Sequence, residues 1–419
     1  MLLSYCPTNS TKFFSQISEE AGYQITDPTQ SVGWVGNPRF RGTLELVWTC
    51  VFTLFTCLWA SLHLNIPAPE DTELTKFRRK LKWTFIAASF PELVVGIAFV
   101  DWWEARHDAA IMKKNDLANW DSSLCAFVRM GGIWLRGKSD CDHDNTSDET
   151  APFICVEAEI VRKLIQEGTI GQDCVTHEMV DEKSKEDWFV KLVACCQAFY
   201  FGLQCVGRLG TGLPITTLEI STAVFAVYAL VVYAFWWNKP VDVAMPIILT
   251  ISQQAFDRVV HLYEPSTPNS YWEKYKYGGN ERIIDITKLR RVPNDLSMTN
   301  GTNHNLSAYP TLLSALIFAG LHCLAWNLYF PTQQERLIWR ISCIVMVVVP
   351  LISLILSMMG LHCKRLMKTL RYYIIIVIAV VFYSIARFYL IFGGFIYLRA
   401  APVACYEGVD WVGFIPHIG

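Results

Sequence analysis

Charge is scarce in this chain. Only 18% of its 419 residues are charged, and a net charge of −2 leaves no basic excess to suggest a nucleic-acid partner. The 14 cysteines include no CxxC pair, which speaks against a zinc ribbon or a thioredoxin-like site. No DDxxD, DxDD, Walker A, HExxH or GxSxG motif occurs. Soluble class I and class II terpene synthases, ATPases, zinc proteases and serine hydrolases are therefore not supported. NDLSMTN (294–300) is a mere fragment of a diphosphate–magnesium motif. The acidic run SDCDHDNTSDE (139–149) holds Asp140, Asp142, His143 and Asp144, oxygen-rich enough for a cation, yet such loops are usually just solvated. No cofactor and no metal are expected. The opening MLLSYCPTNSTKFF lacks the apolar core of about 7–15 residues that a cleavable signal needs, so the first spanning helix is expected to act as the targeting signal.

What the chain has instead is apolar residues, 52% of the total, gathered in blocks. A bilayer core of about 30 Å takes roughly 20 of them per helix. Spans are expected near 44–64, 83–100, 188–206, 216–237, 309–330, 337–359 and 372–395. The fold class is all-α, a polytopic transmembrane helix bundle of seven to eight spans (44–396). It is flanked by a polar N-terminal segment (1–43) and a C-terminal tail (397–419). Long polar loops are expected at about 101–187 and 238–308. The eighth span is the doubtful DVAMPIILTISQQAF (242–256), broken by Pro246. LCAFVRMGGIWL (124–135) is too short to span and suits an interfacial or re-entrant piece. The 15 tryptophans fit a belt at the membrane–water boundary.

The basic stretch Lys76, Arg78, Arg79, Lys80, Lys82 should be cytoplasmic, which puts the N-terminus and the sequon at Asn9 in the lumen. A second basic loop, Lys364, Arg365, Lys368 and Arg371, conflicts with seven spans and fits eight. The sequons at Asn300 and Asn305 depend on the same count. Cys141, Cys155 and Cys174 share one loop and could form a disulfide if it is lumenal. Cys195 and Cys196, inside an apolar run, read as buried thiols.

Ionisable groups inside a span are functional candidates because burying them is costly. Glu92, after Pro91 in the second span, is the first candidate acid, its neutral form otherwise serving as a helix-to-helix hydrogen bond. Arg387 in the last span is its natural partner, or a grip for a polar headgroup. Asp242, after FWWNKP, is the second candidate acid. Gln197, Gln204 and Arg208 share one helical face and either line a cavity or join helices. Trp236 and Trp237 suit an interface belt. Glu45 favours its helix N-terminus, while His63, Asn65, His322, Trp326 and Asn327 suit hydrogen bonding within a bundle.

RGTLELVWTCVFTLFTCLWASLHLNIP (41–67), DEKSKEDW (181–188), LQCVGRLGTGLPITTLEI (203–220), YAFWWNKPVDV (233–243), LHCLAWNLYFPTQQERLIWRIS (321–342) and FIPHIG (414–419) together resemble a large family of polytopic membrane proteins from filamentous fungi. WWNKPVDV and FPTQQERLIWR are the most specific of these blocks. The chain departs from that pattern at Ser184-Lys185-Glu186-Asp187, where SKGD is usual, and at Asp101, where Gln is usual. Asp101, beside Trp102 and Trp103, becomes a third candidate acid. In size and topology the chain is also similar to the membrane-embedded terpene cyclases of macrophorin- and ascofuranone-type meroterpenoid pathways. That likeness implies acid-initiated cyclisation of a farnesyl or epoxyfarnesyl substrate in a dry pocket of the endoplasmic reticulum membrane. Glu92, Asp242 or Asp101 would be the acid. Trp102, Tyr200, Trp236 and Trp326 would line the pocket, and Gln204, Arg208 and Arg387 would hold the substrate. The expected partners are a hydrophobic prenylated small molecule and the bilayer. The competing expectation is a non-enzymatic transporter, receptor-like protein or scaffold.

Overall fold

The computed structural model describes residues 41–68, 71–138, 153–184, 188–263, 292, 294, 304–360 and 370–409. The acidic run at 139–149 and the sequons at Asn9 and Asn300 lie outside them. The architecture is a helix bundle carrying a small cap with a sheet. The bundle comprises α1 (Thr43–Ser61), α2 (Glu73–Ser89), α3 (Pro91–Lys114), α7 (Trp188–Gly210), α8 (Thr217–Phe235), α10 (His304–His322), α11 (Gln333–Gly360) and α12 (Leu370–Ile396). The cap comprises the end of α3, α4 (Ser122–Arg129), β1 (Ile133–Lys138), β2 (Phe153–Cys155), α5 (Ala158–Gln166), α6 (His177–Lys183), β3 (Ile247–Ser252) and α9 (Gln253–Tyr263). Among the described residues, six helices are long and apolar enough to cross a membrane, or seven if the bent pair α2–α3 counts as one span. The protein is a membrane protein.

Bond partners place the helix ends. Asn65 beyond α1, Asp101 midway along α3 and Lys239 beyond α8 meet at one end. Far from them, Arg41 ahead of α1 pairs with Glu219 in the first turn of α8. Arg399 beyond α12 pairs there with Glu335 in the first turn of α11. Arg208 near the end of α7 is fully buried at that same far end. It donates to the carbonyls of Pro214, Ala404, Cys405 and Glu407. Thr216 and Glu219 form a reciprocal cap that starts α8.

The expected second span, 83–100, is not one helix. Phe90 leaves helical geometry because a residue before proline is pushed out of the α region, and Pro91 opens α3 at its first position. The two helices are bent by 112°. Lys80 on α2 bonds Asp242, and Asp101 on α3 bonds Lys239, so the pair enters and leaves at the cap end.

The expected polar loop 101–187 is mostly a folded unit. LCAFVRMGGIWL does not lie in the interface: it forms α4, a turn and β1 in the cap core, with Phe127, Ile133 and Leu135 fully buried. Gly132 permits the turn, since a Cβ there would sit 2.4 Å from the Phe127 carbonyl oxygen. Nor is 242–256 a span. It supplies β3, parallel to β1 from Ile133↔Ile247 onward, and the start of α9. Its β-branched run alternates between buried Ile247 and Ile251 and exposed Ile248, a strand pattern. The sheet order β2-β1-β3 also qualifies the all-α expectation. Cys155 and Cys174 are free thiols, with Cys141 outside the described residues, and Cys195 and Cys196 are exposed rather than buried.

Within the cap, Arg129 is paired with Glu104 and, at 2.6 Å, with Asp108. Glu157 lies within reach of the same cluster. Burial pushes its carboxyl up to about 7, against the lowering pull of Arg129, with Asp108, Glu159 and Glu104 pushing upward. An acid whose folded value is raised above its unfolded one costs stability as pH climbs between the two. Cap stability should therefore fall from about pH 4.5 to about pH 7. Glu157→Gln should flatten that slope and raise the melting temperature at pH 8, read by thermal unfolding in detergent.

Candidate functional site

Besides the Arg208 and Arg41–Glu219 contacts at the far end, two polar centres among the described residues interrupt the apolar bundle. The deeper one is the tip of the α2–α3 hairpin. Glu92 sits in the first turn of α3, where a carboxylate favours the helix N-terminus. Arg387 Nη2 donates to Glu92 Oε2 at 2.9 Å, and the Tyr383 hydroxyl donates to Oε1 at 2.8 Å. Tyr383 and Arg387 are one turn apart on α12, so both reach the same carboxylate. Arg387 Nε donates to the Ser89 carbonyl at 3.0 Å, one of the acceptors left open where α2 stops. Its guanidinium lies 3.6 Å from the Phe318 ring centroid, on α10. Arg387 is 0% and Glu92 5% exposed. The pairing expected between them is present.

The shallower centre lies where bundle and cap meet. Asp101 Oδ2 accepts from Lys239 Nζ at 2.8 Å and from Trp236 Nε1 at 3.0 Å. Lys239 also donates to Asn65 Oδ1 at 2.9 Å and lies over the Trp236 ring. The Trp236 carbonyl meets His63 Nδ1 at 3.0 Å. The WWNKP block is thus more than a belt: Trp236 and Lys239 are buried, and Trp237 faces outward. Asp101, Trp102, Phe235 and Trp236 line a crevice of about 20 Å³, room for roughly one water molecule.

A second, open crevice of about 340 Å³ lies alongside, between the end of α1, α2, the start of α7 and 241–244. Trp59, Phe77, Leu64 and Val190 give it apolar walls, and Lys76, Arg79 and Lys80 give it a cationic row. Asp242 joins that rim, 39% exposed on its side chain and paired with Lys80 at 2.6 Å. Its φ of +46° is one that Asp tolerates better than most residues. Neither crevice touches Glu92 or Arg387.

The other expected site residues are dispersed. Tyr200 is 49% exposed on the outer face of α7 and takes a hydrogen bond from Gln204, so neither lines a pocket described here. Gln197 alone of its face joins helices, donating to Thr53 on α1. Arg208 is saturated by carbonyls at the far end and holds the chain rather than a substrate. Trp326 packs under Arg340, which donates to its carbonyl. Tyr383 was missed, though its spacing from Arg387 was readable. Lys76, Arg79 and Lys80, a topology signal by their charge, also share one face of α2 through their i, i+3, i+4 spacing.

The chain matches, over residues 11–271 and 354–418, a family of unknown function, DUF8562. It belongs to that family. The DUF8562 match includes Glu92, Asp101, Asp242 and Arg387, while Phe318 and Trp326 fall between the matched segments. No curated protein and no solved structure matches the chain.

Removing one partner of a buried ion pair leaves an uncompensated charge, at a cost of about 3–5 kcal/mol. Arg387→Met should therefore lower thermal stability in detergent far more than Asp242→Asn, whose pair is half open to water. Equal effects would show that the tip pair is not a structural centre.

Proposed function

We propose that this member of DUF8562 is an endomembrane protein of six spans plus one re-entrant hairpin, and that it binds an amphiphile, with a polar head and a prenyl-like tail, at the cap end of its bundle. The supporting observation is the open crevice of about 340 Å³, within the size range of ligand sites, with apolar walls and a charged rim. It lies at the level where a head would meet water.

The re-entrant reading of α2–α3 follows from where its ends lie. Six spans then put the segment before α12, with Lys364, Arg365 and Lys368, and Arg371 in the first turn of α12, on the same side as Lys76 to Lys82. Both basic loops become cytoplasmic without an eighth span. The cap is cytoplasmic too, and both chain termini are lumenal. In the endoplasmic reticulum, Asn9 should accept a glycan, and Asn300 and Asn305 should not. Removing each sequon in turn and reading glycosidase-sensitive gel shifts tests this; a glycan at Asn300 would overturn it.

The binding test uses photoreactive farnesyl probes with phenol, amine and phosphate heads, applied to the full chain in microsomes. Label should map to residues 59–80, and Val190→Trp, which fills the crevice, should remove most of it. No crevice label from any of the three heads would refute the reading.

A second reading, acid-initiated cyclisation of a farnesyl or epoxyfarnesyl meroterpenoid, is favoured by Asp101 standing among Trp102, Phe235 and Trp236. It is the weaker one. Each candidate acid is already engaged by a cation within 2.6–2.9 Å, which occupies an oxygen that a substrate would have to reach. Microsomes fed an epoxyfarnesyl phenol should return it uncyclised. A cyclised product lost in Asp101→Asn and kept in Asp242→Asn would establish the second reading instead.

A further inference from the structure

We infer that the head this crevice takes is a phosphate ester, and that its tail runs up an aromatic stripe on the outside of α1. This rests on the amphiphile-binding reading above and adds the chemistry of the ligand.

The head end is set by α2. Lys76, Arg79 and Lys80 stand at i, i+3 and i+4, so three cations share one face and line one crevice. Each is balanced by a carboxylate: Glu73 at 3.0 Å, Asp71 at 3.8 Å and Asp242 at 2.6 Å. Glu73 and Asp242 are the more exposed members of their pairs, so either can turn to water while its cation turns to another anion. A phosphate presents several charged oxygens to such a row, and a guanidinium can bind two of them at once. Neutral and cationic heads leave the row with the partners it already has.

The tail end is set by α1. Trp48, Phe52, Phe55 and Trp59 follow at steps of four, three and four, one face of a helix. Trp48 stacks on Phe52, Phe55 on Trp59, and Trp59 meets Phe77 across the crevice. Trp48, Phe52, Phe55 and Phe77 are exposed. Eleven residues of helix are about 16 Å, close to half of a bilayer core. The stripe therefore runs from leaflet depth to the cationic row, and Lys80 sits over the Trp59 ring where the two meet.

The ligand is thus a phosphate on an apolar chain, from the bilayer itself as a phosphatidate or from solution as a prenyl phosphate. The test uses full-length protein in nanodiscs and a phosphatidate with a diazirine in its tail. Label should fall within residues 48–59. Farnesyl phosphate should compete at least about tenfold better than farnesol, the difference that one or two charge-assisted bonds supply. Competition by phosphatidate alone would name the lipid as the source, and competition by farnesyl phosphate at lower concentration the prenyl ester. Lys76→Gln with Arg79→Gln should weaken the label about tenfold. Asp242→Asn should strengthen it by releasing Lys80, an effect that loss of a merely structural pair would not produce. Equal competition by farnesol would overturn the phosphate assignment while leaving amphiphile binding in place. Absence of label from every probe would overturn both. Cross-links joining two copies through residues 48–59 would mean that a second copy, not a tail, covers the stripe.

Discussion

The bundle depends on one buried contact, the guanidinium of Arg387 against the carboxylate of Glu92. A proline-broken helix brought to a tip inside an apolar bundle leaves open carbonyls at the end of one helix and open amides at the start of the next. Here Arg387 serves the Ser89 carbonyl and the Glu92 carboxylate together, while Glu92 faces the amide end of α3. Phe318 then covers the cation from α10. Three helices and the turn between two of them are fixed by one side chain. The hairpin's depth follows, and so does the height at which Asp101 and Lys80 emerge.

Asp101 follows Glu92 by nine positions, about 14 Å along α3 at an ordinary helical rise. That distance sets the tip apart from the boundary, and the two centres do different work. The tip is closed, with Arg387 and Glu92 buried against each other and neither crevice reaching them. The boundary is open, with Lys239 tying α1, α3 and α8 together on one side of Asn65 and the Lys76–Lys80 row lying on the other. The cap leans on the same junction through Asn238 and Ser122, and Ser184 meets Val241 there. The bundle thus holds one enclosed polar centre and one that opens to its surroundings.

The bundle was legible because long apolar blocks have few soluble alternatives. The Glu92–Arg387 pair was legible because a charge inside such a block demands a partner. The cap was not. IWLRGK and IILTIS are short runs that join side by side only in three dimensions, and 108 positions separate Lys138 from Ile247 at the parallel pairing. A hydropathy window sees polar linkers with apolar islands there. The hairpin was half legible: Pro91 announced a break, but a break and a reversal look alike in sequence. Hydrogen bonds from Lys80 and Asp101 to the same end distinguish them. Tyr200 and Gln204 misled because their spacing from Gln197 marks a face without saying which way it points. Their face opens outward, as the exposure of Tyr200 records.

Arg208 carries a consequence for how the chain is made. Its guanidinium is enclosed by carbonyls that the ribosome adds 196 to 199 residues later. At roughly 5–20 residues per second, the helix bearing it waits on the order of 10–40 s before its last acceptors exist. During that interval the nearby Pro214 carbonyl is the one of these acceptors already made, so this corner waits on residues 404–407 to close. Assembly of this end of the bundle is thereby tied to synthesis of residues 404–407, and a nascent chain stalled before Ala404 would carry an unsealed charge.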